Sequence, residues 1–144
     1  MKREATAVWR GDGPNGSGEL STQSGALKGL PYSANWRFQN EDGKAGTNPE
    51  ELIGAAHAGC FSMALAFALG REGLKADELR TSAKVDLQKG DAGWSIKGIE
   101  LTLQARIPGI SPEKFQELAQ GAKAGCPVSR ALGAVPITLN ATLA

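Results

Sequence analysis

The longest apolar run in the chain lies between residues 47 and 70, and it predicts one long helix. Asn48 is a typical N-cap, and Pro49 suits the first helical position because its missing N–H would have no partner there. From residue 52 to residue 69 the side chains are apolar or small on every side, and His57 is the one ionisable group among them. Since a surface helix keeps one polar face, the pattern predicts a helix that is buried all round.

Alternating polar and apolar positions before this helix predict a β-hairpin. Residues 3–10 alternate with period two and form a half-buried strand, and residues 19–22 continue as a second strand after a glycine-rich turn. The connection over residues 24–46 has no clear periodicity, although residues 35–39 within it are compatible with a short strand. A connection of this length in a compact domain is typical of a functional segment.

The part of the chain after the long helix predicts a second hairpin and a group of helices. Residues 81–88 and 94–107 alternate on either side of a turn, with Gly98 as a bulge. Three further elements are a helix from Pro112 to about Gly125, a short helix opened by Pro127, and a closing strand over residues 135–143. Clustered strands and clustered helices without βαβ alternation predict an α+β fold with a mainly antiparallel sheet.

Composition limits the class of protein. A chain of 144 residues predicts one domain over 1–144, which is too small to cover a fully apolar helix and so favours a dimer. The 16 basic and 15 acidic side chains form no basic block, which argues against nucleic acid. The N-terminus has no apolar signal segment, so we expect a cytoplasmic protein. Eighteen uncharged residues reach the lower limit for a membrane span, but the many Ala and Gly residues and the central His57 favour a buried core helix.

The chain has two cysteines, Cys60 and Cys126, and one histidine, which is too few ligands for a structural zinc site. No metal is expected. A permanent disulfide is disfavoured in a reducing cytoplasm. Two interpretations stay open on this basis: both cysteines are small buried hydrophobic residues, or they form a transient catalytic pair.

The two cysteines differ in their predicted surroundings. Cys126 lies at a helix start, where unpaired N–H groups favour a thiolate. Cys60 lies inside an apolar helix, where burial raises a thiol pKa, so a functional Cys60 needs a cation from elsewhere in the fold. His57 is one candidate because it lies three residues before Cys60 on the same face. Arg37 is the better candidate because a guanidinium stays charged when it is buried.

Glu50 is a carboxylate without a local partner in the predicted helix. Glu51 occupies the capping-box position, which leaves Glu50 available to orient Arg37. Along one straight helix Glu50 and Cys60 are about 15 Å apart. If both serve one site, either Glu50 comes from a partner subunit or the helix is broken between them.

The segments NPEELIGAAHAGCFSMAL and AGCPVSRAL, together with PYSANWRF, resemble the OsmC/Ohr family of organic hydroperoxide reductases, and the OsmC branch more than the Ohr branch. The resemblance covers nearly the whole chain. It implies an OsmC-like fold: an intertwined homodimer in which sheets from both chains wrap long buried central helices. The implied activity is thiol-dependent reduction of organic hydroperoxides to alcohols in oxidative or osmotic stress, without a metal or cofactor.

The resemblance also implies a role for four residues. Cys60 matches the cysteine that attacks the peroxide and becomes a sulfenic acid, and Cys126 matches the cysteine that resolves it as an intramolecular disulfide. Arg37 matches the activating arginine, and Glu50 matches the acidic residue of the NPE motif. An external dithiol, of the lipoyl type or similar, is the implied reductant.

Two alternatives belong to other functional classes. The first is a stress-associated scaffold with the same fold, in which both cysteines are buried and inert. The second is an acyl-transfer enzyme in which His57 activates Cys60, and it is supported only by the spacing of these two residues.

Overall fold

The computed structural model describes all 144 residues and has an α+β fold with two three-stranded sheets and one long helix. The elements in chain order are β1 (Ala5–Arg10), β2 (Ser17–Thr22), β3 (Leu30–Ser33), α1 (Ala34–Phe38), α2 (Pro49–Arg71), β4 (Glu78–Gly90), β5 (Gly93–Arg106), α3 (Pro112–Gly125), α4 (Pro127–Ala131) and β6 (Ile137–Leu143). The chain divides into two compact units, residues 1–52 and residues 53–144, and helix α2 begins in the first and continues in the second. Each unit is described by itself.

The first unit contains an antiparallel sheet of order β1-β2-β3 and helix α1. The predicted hairpin is confirmed, but the prediction of one buried face on β1 is wrong for the single chain, since all six of its residues are exposed. The short strand considered for residues 35–39 is also wrong. Ser33 Oγ accepts a hydrogen bond from the Trp36 N–H at 3.1 Å, and this N-cap begins α1 where alternation suggested a strand.

Helix α2 begins with the predicted cap. The Glu51 N–H donates to Asn48 Oδ1 at 2.8 Å. The reciprocal capping-box bond is not made, because the Glu51 carboxylate accepts from the Thr47 hydroxyl instead, at 2.8 Å. The helix is unbroken over 23 residues and ends before Gly73, whose positive φ of 70° is accessible to glycine at little cost.

The second unit contains a sheet of order β4-β5-β6. Strands β4 and β5 are antiparallel, and their register shifts where Asp86 pairs with Gly98 and the next residue, Leu87, pairs with Ile96, which confirms the predicted bulge. Strand β6 runs parallel to β5 because α3 and α4 carry the chain back before it joins the sheet. Three of the four strand pairings are antiparallel, in agreement with the prediction.

The core of the second unit is formed by one face of α2 with β5 and α3. The core side chains include Phe61, Leu65 and Leu69 from α2, Leu101 and Leu103 from β5, and Phe115 and Ala119 from α3, all at most 1% exposed. The prediction that α2 is buried all round is wrong for the single chain, because Met63 is 62% exposed and Phe67 is 72% exposed. Phe61, Leu65 and Leu69 recur every four residues on the face of α2 that packs in the core. Met63 and Phe67 point away from that face, and no element of this unit covers them.

Helix α2 is long and apolar enough to cross a membrane by length and composition, with a mean hydropathy of 1.8 over its apolar window. Core helices of globular domains meet the same criterion. Here Phe61, Leu65 and Leu69 pack in the core of the second unit, and His57 is fully buried. These contacts support the interpretation of α2 as a core helix.

Candidate functional site

The two cysteines are 66 residues apart in sequence and meet in the second unit. Their Sγ atoms lie 2.9 Å apart, within hydrogen-bonding distance for sulfur, and both thiols are free. Cys60 lies on α2 and is half-buried, whereas Cys126 is fully buried between α3 and α4. An S–S bond is about 2.05 Å long, so the two sulfurs are adjacent but not bonded.

Cys126 is held by the ends of two helices. Its N–H donates to the Ala122 carbonyl of α3, and its carbonyl accepts from the Arg130 N–H of α4. Pro127 occupies the first position of α4, as predicted. These two backbone bonds fix the position of the cysteine Cα and direct its side chain toward Cys60.

The environment of Cys126 favours its thiolate. Burial by itself raises the pKa of this thiol, but the hydrogen bond with Cys60 and the polar groups of Ser129 and Val128 outweigh burial, so the pKa of Cys126 is lowered. The thiol makes no short N-cap hydrogen bond. The stabilisation therefore comes from several donors around the sulfur, which agrees with the prediction made from its place at a helix start.

Cys60 has the opposite tendency. Burial raises the pKa of the Cys60 thiol, and the hydrogen bond with Cys126 raises it further. No cation of its own unit appears among the groups that stabilise the charged form. Within this unit, Cys60 therefore has no positive charge that would stabilise its thiolate, and such a charge has to come from outside the unit.

His57 is fully buried and does not bond to either cysteine directly. Its Nε2 lies 2.7 Å from Ser129 Oγ, and its Nδ1 is buried without a hydrogen-bond partner. Burial lowers the pKa of His57, so the imidazole is neutral at pH 7. The acyl-transfer alternative requires a hydrogen bond between His57 and Cys60, and neither ring nitrogen makes one, because Nε2 pairs with Ser129 and Nδ1 has no partner.

Arg37 and Glu50 form a bidentate ion pair in the first unit. Arg37 Nη2 lies 2.6 Å from Glu50 Oε1, and Arg37 Nε lies 3.2 Å from Oε2. The Glu50 side chain is 11% exposed and that of Arg37 is 34% exposed. The guanidinium also lies over the ring of Phe38, 4.8 Å from its centroid. The predicted pairing of Glu50 with Arg37 is confirmed as a contact.

A cavity of about 200 Å³ in the first unit opens beside this ion pair. It is lined mainly by aromatic and apolar groups together with the Arg37 side chain, including Trp9, Tyr32, Phe38 and Pro49. An apolar cavity with one cationic group suits a small organic molecule with a polar end.

The four residues predicted for the site thus form two pairs in the structure, Arg37 with Glu50 and Cys60 with Cys126. Glu50 and Cys60 lie on the same unbroken helix, ten residues or about 15 Å apart along its axis. Sequence reasoning missed Ser129, which forms a hydrogen bond with His57 and helps to lower the pKa of Cys126. Its position, three residues after a cysteine at a helix start, was the available signal. No group of three or more His, Cys, Asp or Glu side chains is arranged to hold a metal ion.

Comparison with known proteins gives consistent results. The profile of the family described as "OsmC-like protein" matches residues 41–140. The chain is 49% identical to Peroxiredoxin OsmC of Escherichia coli strain K12 over 140 residues, which is 97% of this chain and 95% of that protein. It is 36% identical to Organic hydroperoxide resistance protein OhrA of Bacillus subtilis over 95 residues, 65% of this chain and 66% of that protein.

Solved structures show the same fold. The crystal structure of an organic hydroperoxide resistance protein from Elizabethkingia anophelis superimposes with a TM-score of 0.74 at 27% identity and covers 100% of this chain and 97% of that chain. A putative organic hydroperoxide resistance protein from Vibrio cholerae superimposes with a TM-score of 0.70 at 25% identity, over 99% of this chain and 91% of that chain. Its crystal structure has a molecule of captopril bound in one of the active sites.

Proposed function

Since the chain belongs to the OsmC family, we propose that it is a two-cysteine, metal-free peroxidase that reduces organic hydroperoxides to alcohols. Relatives named peroxiredoxin OsmC and organic hydroperoxide resistance protein support a peroxidase-type role. The observation that carries the detailed proposal is the 2.9 Å separation of Cys60 Sγ and Cys126 Sγ. A peroxidase that stores its oxidising equivalent as an intramolecular disulfide needs its two sulfurs this close.

The first step is substitution at the peroxide O–O bond. The Cys60 thiolate attacks one peroxide oxygen, the O–O bond breaks, and the alkoxide takes up a proton and leaves as the alcohol. Cys60 becomes a sulfenic acid and is oxidised by two electrons, while the hydroperoxide is reduced. In the second step the Cys126 thiolate attacks the Cys60 sulfur, a disulfide forms, and the hydroxide leaves with a proton as water.

The catalytic cycle ends with reduction of this disulfide. An external dithiol, of the lipoyl type or similar, gives two electrons and two protons and leaves as its own disulfide. Both cysteines then return to the free thiols seen in the structure. We place the enzyme in the cytoplasm, where the Cys60–Cys126 disulfide forms only transiently.

We further propose that the active site is completed in a homodimer. Cys60 lacks a cation in its own unit, and the Arg37–Glu50 pair is anchored to α2 ten residues before Cys60. The pair therefore comes to Cys60 from the partner subunit. Two apolar surfaces of the single chain support association, because Val8 on β1 and Phe67 on α2 are 46% and 72% exposed.

In that site Glu50 orients the guanidinium, and Arg37 holds the Cys60 thiolate. Arg37 uses Nε and Nη2 for Glu50, which leaves Nη1 to donate to the thiolate or to a peroxide oxygen. The aromatic lining of the cavity beside Arg37 favours hydroperoxides with an apolar organic group over hydrogen peroxide.

Counting free thiols tests the proposal. One equivalent of an organic hydroperoxide should remove two thiols per chain from the wild type. In Cys126→Ser it should leave a sulfenic acid at Cys60 that a dimedone-type reagent traps. The raised pKa of Cys60 is what an inert scaffold would also show. If both thiols survive and the hydroperoxide persists, the scaffold interpretation replaces the peroxidase.

A further inference from the structure

A buried chain of hydrogen-bonding groups leads from His57 to the cysteine pair. His57 Nε2 lies 2.7 Å from Ser129 Oγ, and Ser129 lies three residues after Cys126 in the first turn of α4, where its hydroxyl and N–H are among the groups that lower the pKa of the Cys126 thiol. His57, Ser129 and Cys126 are 0%, 7% and 0% exposed. A buried imidazole and a buried hydroxyl are costly to retain in a core this small, and the peroxidase mechanism described above uses neither.

The direction of the hydrogen bonds in this chain is fixed at one end. A thiolate can only accept, so the Ser129 hydroxyl donates its proton to Cys126 when that cysteine is ionised. Ser129 Oγ is then free to accept from His57 Nε2–H. This assigns the neutral imidazole the tautomer with its proton on Nε2, which leaves Nδ1 as the atom without a partner. The unpartnered atom is thus an acceptor and not a buried N–H donor.

We propose that His57 and Ser129 stabilise the thiolate of Cys126 and so promote the resolving step, in which Cys126 attacks the oxidised Cys60. This inference rests on the proposed peroxidase function and assigns two residues to one step of it. In this proposal the Ser129 hydroxyl acts directly on the Cys126 sulfur as a donor. His57 is a positioning residue, since it acts through Ser129 by holding the hydroxyl oxygen so that its proton faces Cys126.

The consequence is a separation of the two chemical steps. Neither His57 nor Ser129 bonds to Cys60, so the attack on the hydroperoxide should proceed at its normal rate without them. Loss of the Ser129 hydroxyl removes one donor to the Cys126 thiolate, lowers the fraction of Cys126 that is ionised, and slows disulfide formation. The sulfenic acid of Cys60 then persists and is open to further oxidation to the sulfinic acid.

The kinetic test compares Ser129→Ala with Ser62→Ala in single-turnover experiments. Ser62 is the matched control because its hydroxyl, also on a partly buried side chain, bonds Thr81 at 2.8 Å and lies outside the relay. We expect hydroperoxide consumption in the first turnover to stay within about twofold of wild type in both variants. Disulfide formation should slow roughly tenfold in Ser129→Ala alone, by the usual strength of a hydrogen bond to a charged group. Excess hydroperoxide should then produce sulfinic acid at Cys60, seen by mass spectrometry.

The role of His57 is tested by a pair of substitutions. His57→Gln keeps a side-chain N–H that can donate to Ser129, whereas His57→Leu does not. We expect His57→Leu to slow disulfide formation and His57→Gln to restore at least part of the rate. If Ser129→Ala fails to fold, this pair still decides the question, because equal rates of disulfide formation in the two variants would overturn the relay.

An ionisation measurement separates failure of this inference from failure of the proposed function. In Cys60→Ser the chain has Cys126 as its single thiol, so the ultraviolet absorbance of the thiolate reports its titration without any hydroperoxide. Adding Ser129→Ala should move the midpoint to higher pH by about one unit, and adding Ser62→Ala should not move it. An unchanged midpoint in the Ser129→Ala chain overturns the inference. A shifted midpoint in a protein that leaves hydroperoxides intact supports the relay and rejects the peroxidase.

Discussion

Replacement of Glu50 by Gln tests how much the Arg37–Glu50 pair contributes to stability and to the proposed reaction. The size of the expected effect follows from the geometry of the pair. The wild-type pair has two charge-assisted hydrogen bonds, at 2.6 and 3.2 Å. In Glu50→Gln one oxygen still accepts, but the new NH₂ group faces an Arg37 N–H and cannot accept from it. The variant therefore loses one bond and the net negative charge beside a guanidinium.

A hydrogen bond to a charged group contributes about 1.5–3 kcal/mol when it is well buried. Glu50 is nearly buried, but the Arg37 side chain is 34% exposed, so solvent screens the pair and the value belongs at the lower end of that range or below it. We expect Glu50→Gln to lower the free energy of unfolding by about 1–2 kcal/mol. The attack on the hydroperoxide should slow by roughly tenfold or more, because Arg37 is no longer held in one orientation.

Two measurements check this expectation on the same samples. Denaturant unfolding gives the change in stability, and single-turnover hydroperoxide consumption gives the rate of the first step. Glu19→Gln is the matched control, since Glu19 and Arg10 form an ion pair of the same unit at 3.9 Å with both side chains more than half exposed. That substitution should change stability by about 0.5 kcal/mol or less and leave the rate unchanged. The reasoning is refuted if Glu50→Gln matches Glu19→Gln in both measurements.

Three further predictions follow from burial and charge. Burial raises the pKa of the Cys60 thiol, so without the Arg37 charge the rate of hydroperoxide consumption in Arg37→Met should keep rising toward and above the usual pH range of thiol ionisation. The wild-type rate should already level off at lower pH. Parallel pH profiles of the two proteins would contradict the role of Arg37. Leu65→Ala removes a fully buried core side chain and should lower the free energy of unfolding by about 2–5 kcal/mol, as measured by denaturant unfolding. Phe67→Glu places a charge on the exposed apolar face of α2 and should convert the proposed dimer to monomers in sedimentation experiments; an unchanged mass would exclude this face from the interface.

Local signals in the sequence predicted most of the helix boundaries. Asn48, Ser111 and Cys126 each precede a proline at a helix start, and helices α2, α3 and α4 begin at those positions. Capping and the fixed φ of proline act within a few residues, so one sequence is enough to read them. The hairpins were predictable for the same reason, because strand alternation and turn residues are local.

Properties that depend on distant residues were not predictable in the same way. The sequence analysis overestimated the burial of β1 and α2 in the single chain. Alternation and apolarity show which surfaces are apolar, but they do not show whether other residues of the same chain pack against those surfaces. Cys60 meets Cys126, which is 66 positions away in the sequence, and His57 contacts Ser129, which is 72 positions away. In the segment over residues 34–38 a single serine cap outweighed a pattern too short to distinguish a strand from a helix.

If the proposed mechanism holds, the unequal exposure of the two cysteines also decides which sulfur the reductant attacks. The Cys126 sulfur is enclosed between α3 and α4, whereas Cys60 is accessible in part, so in the proposed disulfide we expect an incoming dithiol to attack at Cys60. Cys126 would then be the leaving group, and the groups that lower its pKa should speed its departure. We therefore expect the mixed disulfide with the reductant to be recovered on Cys60 and not on Cys126.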